Sequence, residues 1–137
     1  MSVESSAKAK LFHWNAVPRE QVTPQLSRQL VSGERLMVAQ VSLVKGCVIP
    51  AHEHIHEQIT HVVAGHLRLT VGTDAPETFD PRGGDILHIP PNVRHAGEAM
   101  EDCTVFDFFS PPREDWLNGT DSYLRPTIVT RSSRTRA

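Results

Sequence analysis

No run of apolar residues in this chain approaches the ~20 that a membrane-spanning helix requires. No charge of one sign is in excess either: 14 lysines and arginines stand against 16 aspartates and glutamates in 137 residues. A net charge of -2 gives no electrostatic footing for nucleic acid or for an anionic membrane surface. Cysteine is scarce. Cys47 and Cys103 each lie in an apolar strand-like run, so no disulfide framework shows and both are expected as reduced core residues. Residues 1–10 are polar and lack the apolar stretch of a signal peptide, which makes the cytosol the expected location. What these absences leave is a composition ordinary for one soluble domain, with a small molecule as the expected partner.

Helical periodicity is missing as well until near the end. In its place stand short β segments separated by turn residues, the pattern of an all-β sandwich or small barrel. Strands are expected over 36–44, 47–49, 52–63 with a break near 55–57, 67–71, 78–79, 86–89 and 103–109. Lys45-Gly46, Gly65, the cluster 72–76, Arg82-Gly83-Gly84-Asp85 and Pro90-Pro91-Asn92 supply the reversals. After Pro111-Pro112, residues 113–117 are expected to make a short helical turn. The chain thus divides into a single domain over 1–129, with its β core at about 36–109 and an N-terminal arm at 1–35, and a solvated basic tail over 130–137. In the arm, Phe12, Trp14 and Val17 lie among polar residues, as anchors that cover a sheet edge or reach another subunit do.

The chemistry concentrates in a few side chains. His52 and His54 are two apart, so on an extended strand they share a face and can grip one ion. Gln58, just past the break, and His95, returning on another strand, complete a four-donor metal site with positions left for water or substrate. His56 and Glu57 remain open as replacements for Gln58 if the break shifts register. Glu53 falls on the opposite face, and His61, His66 and His88 read as satisfied polar residues. In the last strand Val105, Asp107 and Phe109 share one face. Asp107 is a charge in an apolar strand, so it is exposed, paired with an arginine such as Arg113, or a general base facing the metal.

Two glycine-flanked blocks carry a resemblance. The first runs from Gly46 through His52, His54 and Gln58 to Gly65; the second runs Gly84-Asp85, four residues to Pro90, then Pro91-Asn92-Val93-Arg94-His95. Together they resemble the two signature blocks of the cupin superfamily, a double-stranded β-helix or jelly-roll barrel. The resemblance implies one divalent metal at the barrel mouth, held by His52, His54, Gln58 and His95. Gln58 stands where many cupins have glutamate, Asn92 where glycine is usual, and Ala99 where an asparagine is common. Four neutral ligands leave the ion's charge uncompensated, which favours Lewis-acid work over oxygen activation. Zinc, nickel, manganese and iron all suit such a set.

The run His54-Ile55-His56-Glu57-Gln58-Ile59, with the segment from Asp107 to Trp116, looks like the KdgF-type small cupins of pectin and alginate breakdown. In that family an aspartate, a phenylalanine two residues on and an arginine four beyond complete the site, positions matched here by Asp107, Phe109 and Arg113. The resemblance implies opening of 4,5-unsaturated uronates, released by polysaccharide lyases, to linear 5-keto-4-deoxyuronates. Asp107 would be the base, Arg113 the carboxylate anchor and Phe109 a contact for the sugar ring. It also implies a homodimer. The competing expectations are a cupin dioxygenase or other small-molecule isomerase on the same metal frame, and a non-catalytic sugar- or metal-binding module.

Overall fold

The computed structural model describes residues 8–125. Two antiparallel sheets face each other. The first has six strands in the order β1 (Glu20–Thr23), β2 (Leu26–Ser32), β3 (Met37–Leu43), β10 (Cys103–Ser110), β5 (Glu57–Ala64) and β8 (Ile86–Ile89). The second has four, in the order β4 (Val48–His52), β9 (His95–Ala99), β6 (Leu67–Val71) and β7 (Glu77–Phe79). Among the described residues the one α-helix, α1 (Glu114–Asn118), follows the last strand and ends on Gly119 in the left-handed conformation at φ 75°. The fold is the all-β jelly roll expected, with the helical turn where the sequence placed it. Among the described residues no helix is long and apolar enough to cross a membrane.

Alternation builds the core. On β3 the inward residues Met37, Ala39, Val41 and Leu43 are buried while their neighbours are half exposed, the period-two pattern of a strand with one face on the core. Across the sheet, Val105 on β10 pairs with Val62 on β5, but two residues along the same inward row Asp107 pairs with Thr60, and Phe109 with Gln58. The interior is therefore apolar at one end of the sandwich and polar at the other. That switch places the site. In the second sheet, His52 at the end of β4 lies in register with His95 at the start of β9, at the same polar end.

Two backbone positions hold this geometry. Gly65 turns between β5 and β6 at φ 96°, and a Cβ there would sit 2.2 Å from the Asp102 carbonyl, so no other residue fits. Asn92 takes φ 63°, where cupins usually place glycine, and its backbone N–H donates to the His54 carbonyl at 2.8 Å. The loop leading to His95 is thereby tied to the segment carrying His54.

The structure revises the arm. Residues 20–23 and 26–32 are not an extension outside the barrel but two strands of the larger sheet, β1 and β2. Trp14 does act as an anchor, stacking on Phe106 of the outer sheet face with ring centroids 5.8 Å apart; Phe12 stays exposed. Residues 95–99 pair as β9, the further strand on which His95 was expected to return, with bounds that the sequence did not delimit. Cys47 and Cys103 are free and buried, as expected. The basic tail expected over 130–137 and the domain end at 129 lie outside the described residues.

Candidate functional site

The three histidines converge. The nitrogens that His52, His54 and His95 can offer a metal lie within 4.8 Å of one another. Each ring is oriented by the backbone. Nδ1–H donates to the Pro50 carbonyl from His52 at 2.8 Å, to the His56 carbonyl from His54 at 3.1 Å, and to the Val93 carbonyl from His95 at 2.8 Å. That fixes the tautomer and leaves every Nε2 as the free lone pair, the arrangement that metal-binding imidazoles take. Burial drives the pKa of His52 down to about 4 and that of His54 to about 3, with the nearby Arg113 and His95 charges adding to it. The rings are neutral and ready to coordinate. His95 Nε2 is buried with no partner among the described residues, a lone pair that a cation would satisfy. The donor set fits a divalent ion.

Gln58 faces the same centre. Its Oε1 lies 3.1 Å from His54 Nε2, and its amide nitrogen is held away by Thr60, donating to the Thr60 hydroxyl at 2.9 Å. Thr60 in turn donates to Asp107 at 2.7 Å, and Gln58 reaches the same carboxylate oxygen at 3.4 Å. One chain of hydrogen bonds thus points the Gln58 carbonyl at the histidines and fixes the Asp107 carboxylate beside them. Removal from water raises the Asp107 pKa to about 6, against the pull of the Thr60 bond and of Arg113. The salt bridge considered for Asp107 does not form: Arg113 is paired with Asp115 instead.

Arg113 is almost fully buried, in an aromatic slot. Its Cζ lies 5.1 Å from the Phe109 ring centre and 4.8 Å from that of Trp116, while Nε and Nη2 both bond to Asp115, at 2.9 and 2.8 Å. Burial works against its charge, but the Asp115 bonds hold its pKa above the ordinary value. Nη1 is buried without a partner among the described residues. Phe109 packs edge-on against Trp116 at 5.0 Å and beneath His54 at 5.9 Å. A cavity of about 40 Å³ is lined by His52, Gln58, His95, Asp107, Phe109 and Arg113 among others, so all but one of the seven expected site residues surround one space. The seventh, His54, packs against two of them, its ring centre 5.0 Å from that of His95 and 5.9 Å from that of Phe109.

The alternatives resolve by position. Glu57 is exposed and accepts a bond from His88 at 2.7 Å, so it does not replace Gln58. His56 contributes its carbonyl to His54 rather than its ring to the metal group. Glu53 is exposed, His66 bonds Asp80 at 2.8 Å, and His61 lies against Phe106 on the outer face. Three participants escaped the sequence. Thr60 shares parity with Gln58 and its signal was available: a polar residue on the inward row of an apolar strand. Asp115 lies in the first turn of α1, whose five residues are too few for periodicity to mark a face, and Tyr123 in the irregular segment after it. Tyr123 stacks on His52 at 4.2 Å.

Residues 39–109 match the family described as the cupin domain. Among solved structures, KdgF from Halomonas sp. is 28% identical over 80% of this chain and 99% of its own, with a TM-score of 0.73. An RmlC-like cupin from Shewanella frigidimarina is 26% identical over 80% of this chain and 96% of its own, with a TM-score of 0.70. A variant of Bacillus subtilis oxalate decarboxylase, 17% identical over 96% of this chain and 39% of its own, shares the fold with a TM-score of 0.72. No curated protein sequence matches. The matched span holds both histidine-bearing blocks and the strand of Asp107, and on that match the chain belongs to the cupin domain family.

Proposed function

We propose that this cupin opens the ring of 4,5-unsaturated uronates to linear 5-keto-4-deoxyuronates. The observation that carries the proposal is Asp107: a carboxylate with no ion pair among the described residues, held by Thr60 and Gln58 next to three converging histidines, with its pKa brought to about 6. A group so poised can both take and return a proton near neutral pH. The similarity to KdgF from Halomonas sp. and the match at Asp107, Phe109 and Arg113 support the substrate class.

A divalent ion held by His52, His54, Gln58 and His95 would supply Lewis-acid stabilisation of negative charge on a substrate oxygen. The protein does the rest. Asp107 takes the proton of the C1 hydroxyl, the bond from C1 to the ring oxygen breaks, and C1 becomes an aldehyde. The released electron pair gives an enolate across C4, C5 and the former ring oxygen. Protonation at C4, with Asp107 able to return its proton, yields the 4-deoxy-5-keto acid. Arg113 offers its free Nη1 to the substrate carboxylate, and Phe109 forms the apolar wall beneath His54. At about 40 Å³ the cavity has room for roughly three waters, which suits the acid group and reacting atoms of one sugar with the ring lying at the mouth.

Under anaerobic conditions, an unsaturated monouronate should give the linear keto acid by nuclear magnetic resonance, and Asp107→Asn should lose turnover with metal content unchanged. Oxygen-dependent turnover would instead support a dioxygenase, and sugar binding without turnover a binding module. We further propose a homodimer through the outer face of the larger sheet, where Ile59, Val63 and Ile86 are exposed beside Phe108. A solution mass of a single 15.3 kDa chain would remove it.

A further inference from the structure

The segment after α1 brings a residue to the cavity that neither the family span nor the sequence pattern contains. Asp121 is fully buried and grips the equally buried Arg28 of β2 at 2.8 and 3.3 Å. Arg125 adds bonds to Asp121 at 3.0 Å and to Glu20 at 2.6 Å. Between these clamps Tyr123, the only tyrosine of the chain, is laid flat on the His52 ring.

Its hydroxyl accepts two hydrogen bonds, from Trp116 Nε1 at 3.0 Å and from Arg113 Nη2 at 3.1 Å. A phenolic oxygen has no more than two lone pairs to offer. Its own proton must therefore be donated, and it has no acceptor among the described residues. Arg113 is in the same condition. A guanidinium is planar, with hydrogens pointing along fixed edges. Asp115 occupies the edge of Nε and Nη2, so the second Nη2 hydrogen, which Tyr123 takes, lies on the edge shared with Nη1. Nη1 is buried and unpartnered. The Tyr123 hydroxyl and Arg113 Nη1 are thus neighbouring donors on the wall of one cavity that both residues line, each lacking an acceptor.

The geometry points to Tyr123 as a substrate-binding residue that, with Arg113 Nη1, forms a two-donor clamp for the carboxylate of an acidic monosaccharide. The second donor matters because Asp115 already offsets the Arg113 charge, which leaves hydrogen bonding to select the anion. This rests on the reading of the site as one for acidic sugars, but not on ring opening, since binding of a saturated uronate needs no chemistry.

The test is calorimetric titration of the metal-loaded protein with D-galacturonate and with D-galactose, for wild type and Tyr123→Phe, with metal stoichiometry measured in both. The phenylalanine keeps the stack on His52 and removes only the hydroxyl. Loss of one hydrogen bond to a charged group should weaken D-galacturonate about tenfold, leaving D-galactose and metal content unchanged. Equal D-galacturonate affinity in the two proteins would overturn the clamp. So would parallel loss of both sugars or of metal, which marks a structural role, or a wild type that binds the acid no better than the neutral sugar. Turnover on an unsaturated uronate is read separately, so its failure leaves this result standing.

Discussion

Asp121→Ala should unfold the protein far more readily than its distance from the metal donors suggests. Arg28 and Asp121 are both completely buried, joined by two hydrogen bonds, and the Arg28 guanidinium lies 4.5 Å over the Trp116 ring. Removing one partner of such a pair leaves an uncompensated charge in the interior, at a cost of about 3–5 kcal/mol. Glu20 remains 3.0 Å from Arg28 Nε but is 41% exposed, so it recovers only part of this, and the loss should settle near the lower figure, about 3 kcal/mol. For a chain of this size that lowers Tm by roughly 10 °C. Urea unfolding followed by far-ultraviolet circular dichroism reads it, with the slope unchanged if the denatured state is unaffected. Arg28→Met with Asp121→Leu, which replaces both charges by apolar groups, should cost much less than Asp121→Ala alone. A loss below about 1 kcal/mol, or the same loss for Asp121→Ala in an Arg28→Met background, would refute the buried-charge argument.

Three further outcomes follow from the site. Gln58→Glu puts a second carboxylate where an amide nitrogen now donates to Thr60 and Asp107; metal affinity in a chelator competition should rise while turnover falls at least about tenfold. Phe109→Ala empties the space beneath His54 and beside Trp116 and Arg113, and should cost about 3–4 kcal/mol in the same urea assay. Chelator-treated protein should lose stability as pH falls from about 6.5 to 4. The folded-state pKa values of His52 and His54 lie below the ordinary histidine value, so below pH 6.5 the unfolded chain binds protons that the folded one refuses. Each group would cost about 1.4 kcal/mol per pH unit if wholly shielded. Partial exposure of the rings reduces their sum to roughly 3 kcal/mol; Asp107, its pKa raised to about 6, acts in the opposite sense over this window, so the profile is read in Asp107→Asn, where a flat line would contradict the histidine argument.

Much of this fold was legible because alternation survives in the strands that matter: 67–71 and 86–89 fall where expected, β3 is one residue shorter at each end and β10 one residue longer at its end. Residues 20–32 were not legible. On β2 the inward side is filled by Arg28 as well as Leu26 and Leu30, and a buried arginine breaks the apolar rhythm unless its partner, Asp121, is known to return 93 residues later. The four candidate metal donors could be read from their spacing, since His52, His54 and Gln58 are local and His95 lies in a recognisable block. Their register could not: that His52 pairs with His95, and Thr60 with Asp107, depends on which strands become neighbours. Asp115 takes the Arg113 fork that the sequence assigns to substrate, because a carboxylate two residues away in a five-residue helix carries no periodic signal. Tyr123 escaped for the same reason.

The most direct test is the rate at which purified protein removes the enol-ether ultraviolet absorption of a 4,5-unsaturated monouronate. Acceleration over the spontaneous reaction is expected, with its loss on chelation, its return with added divalent metal, and its absence in Asp107→Asn that still binds metal. Loss of the band at the spontaneous rate by metal-loaded wild-type protein would contradict it.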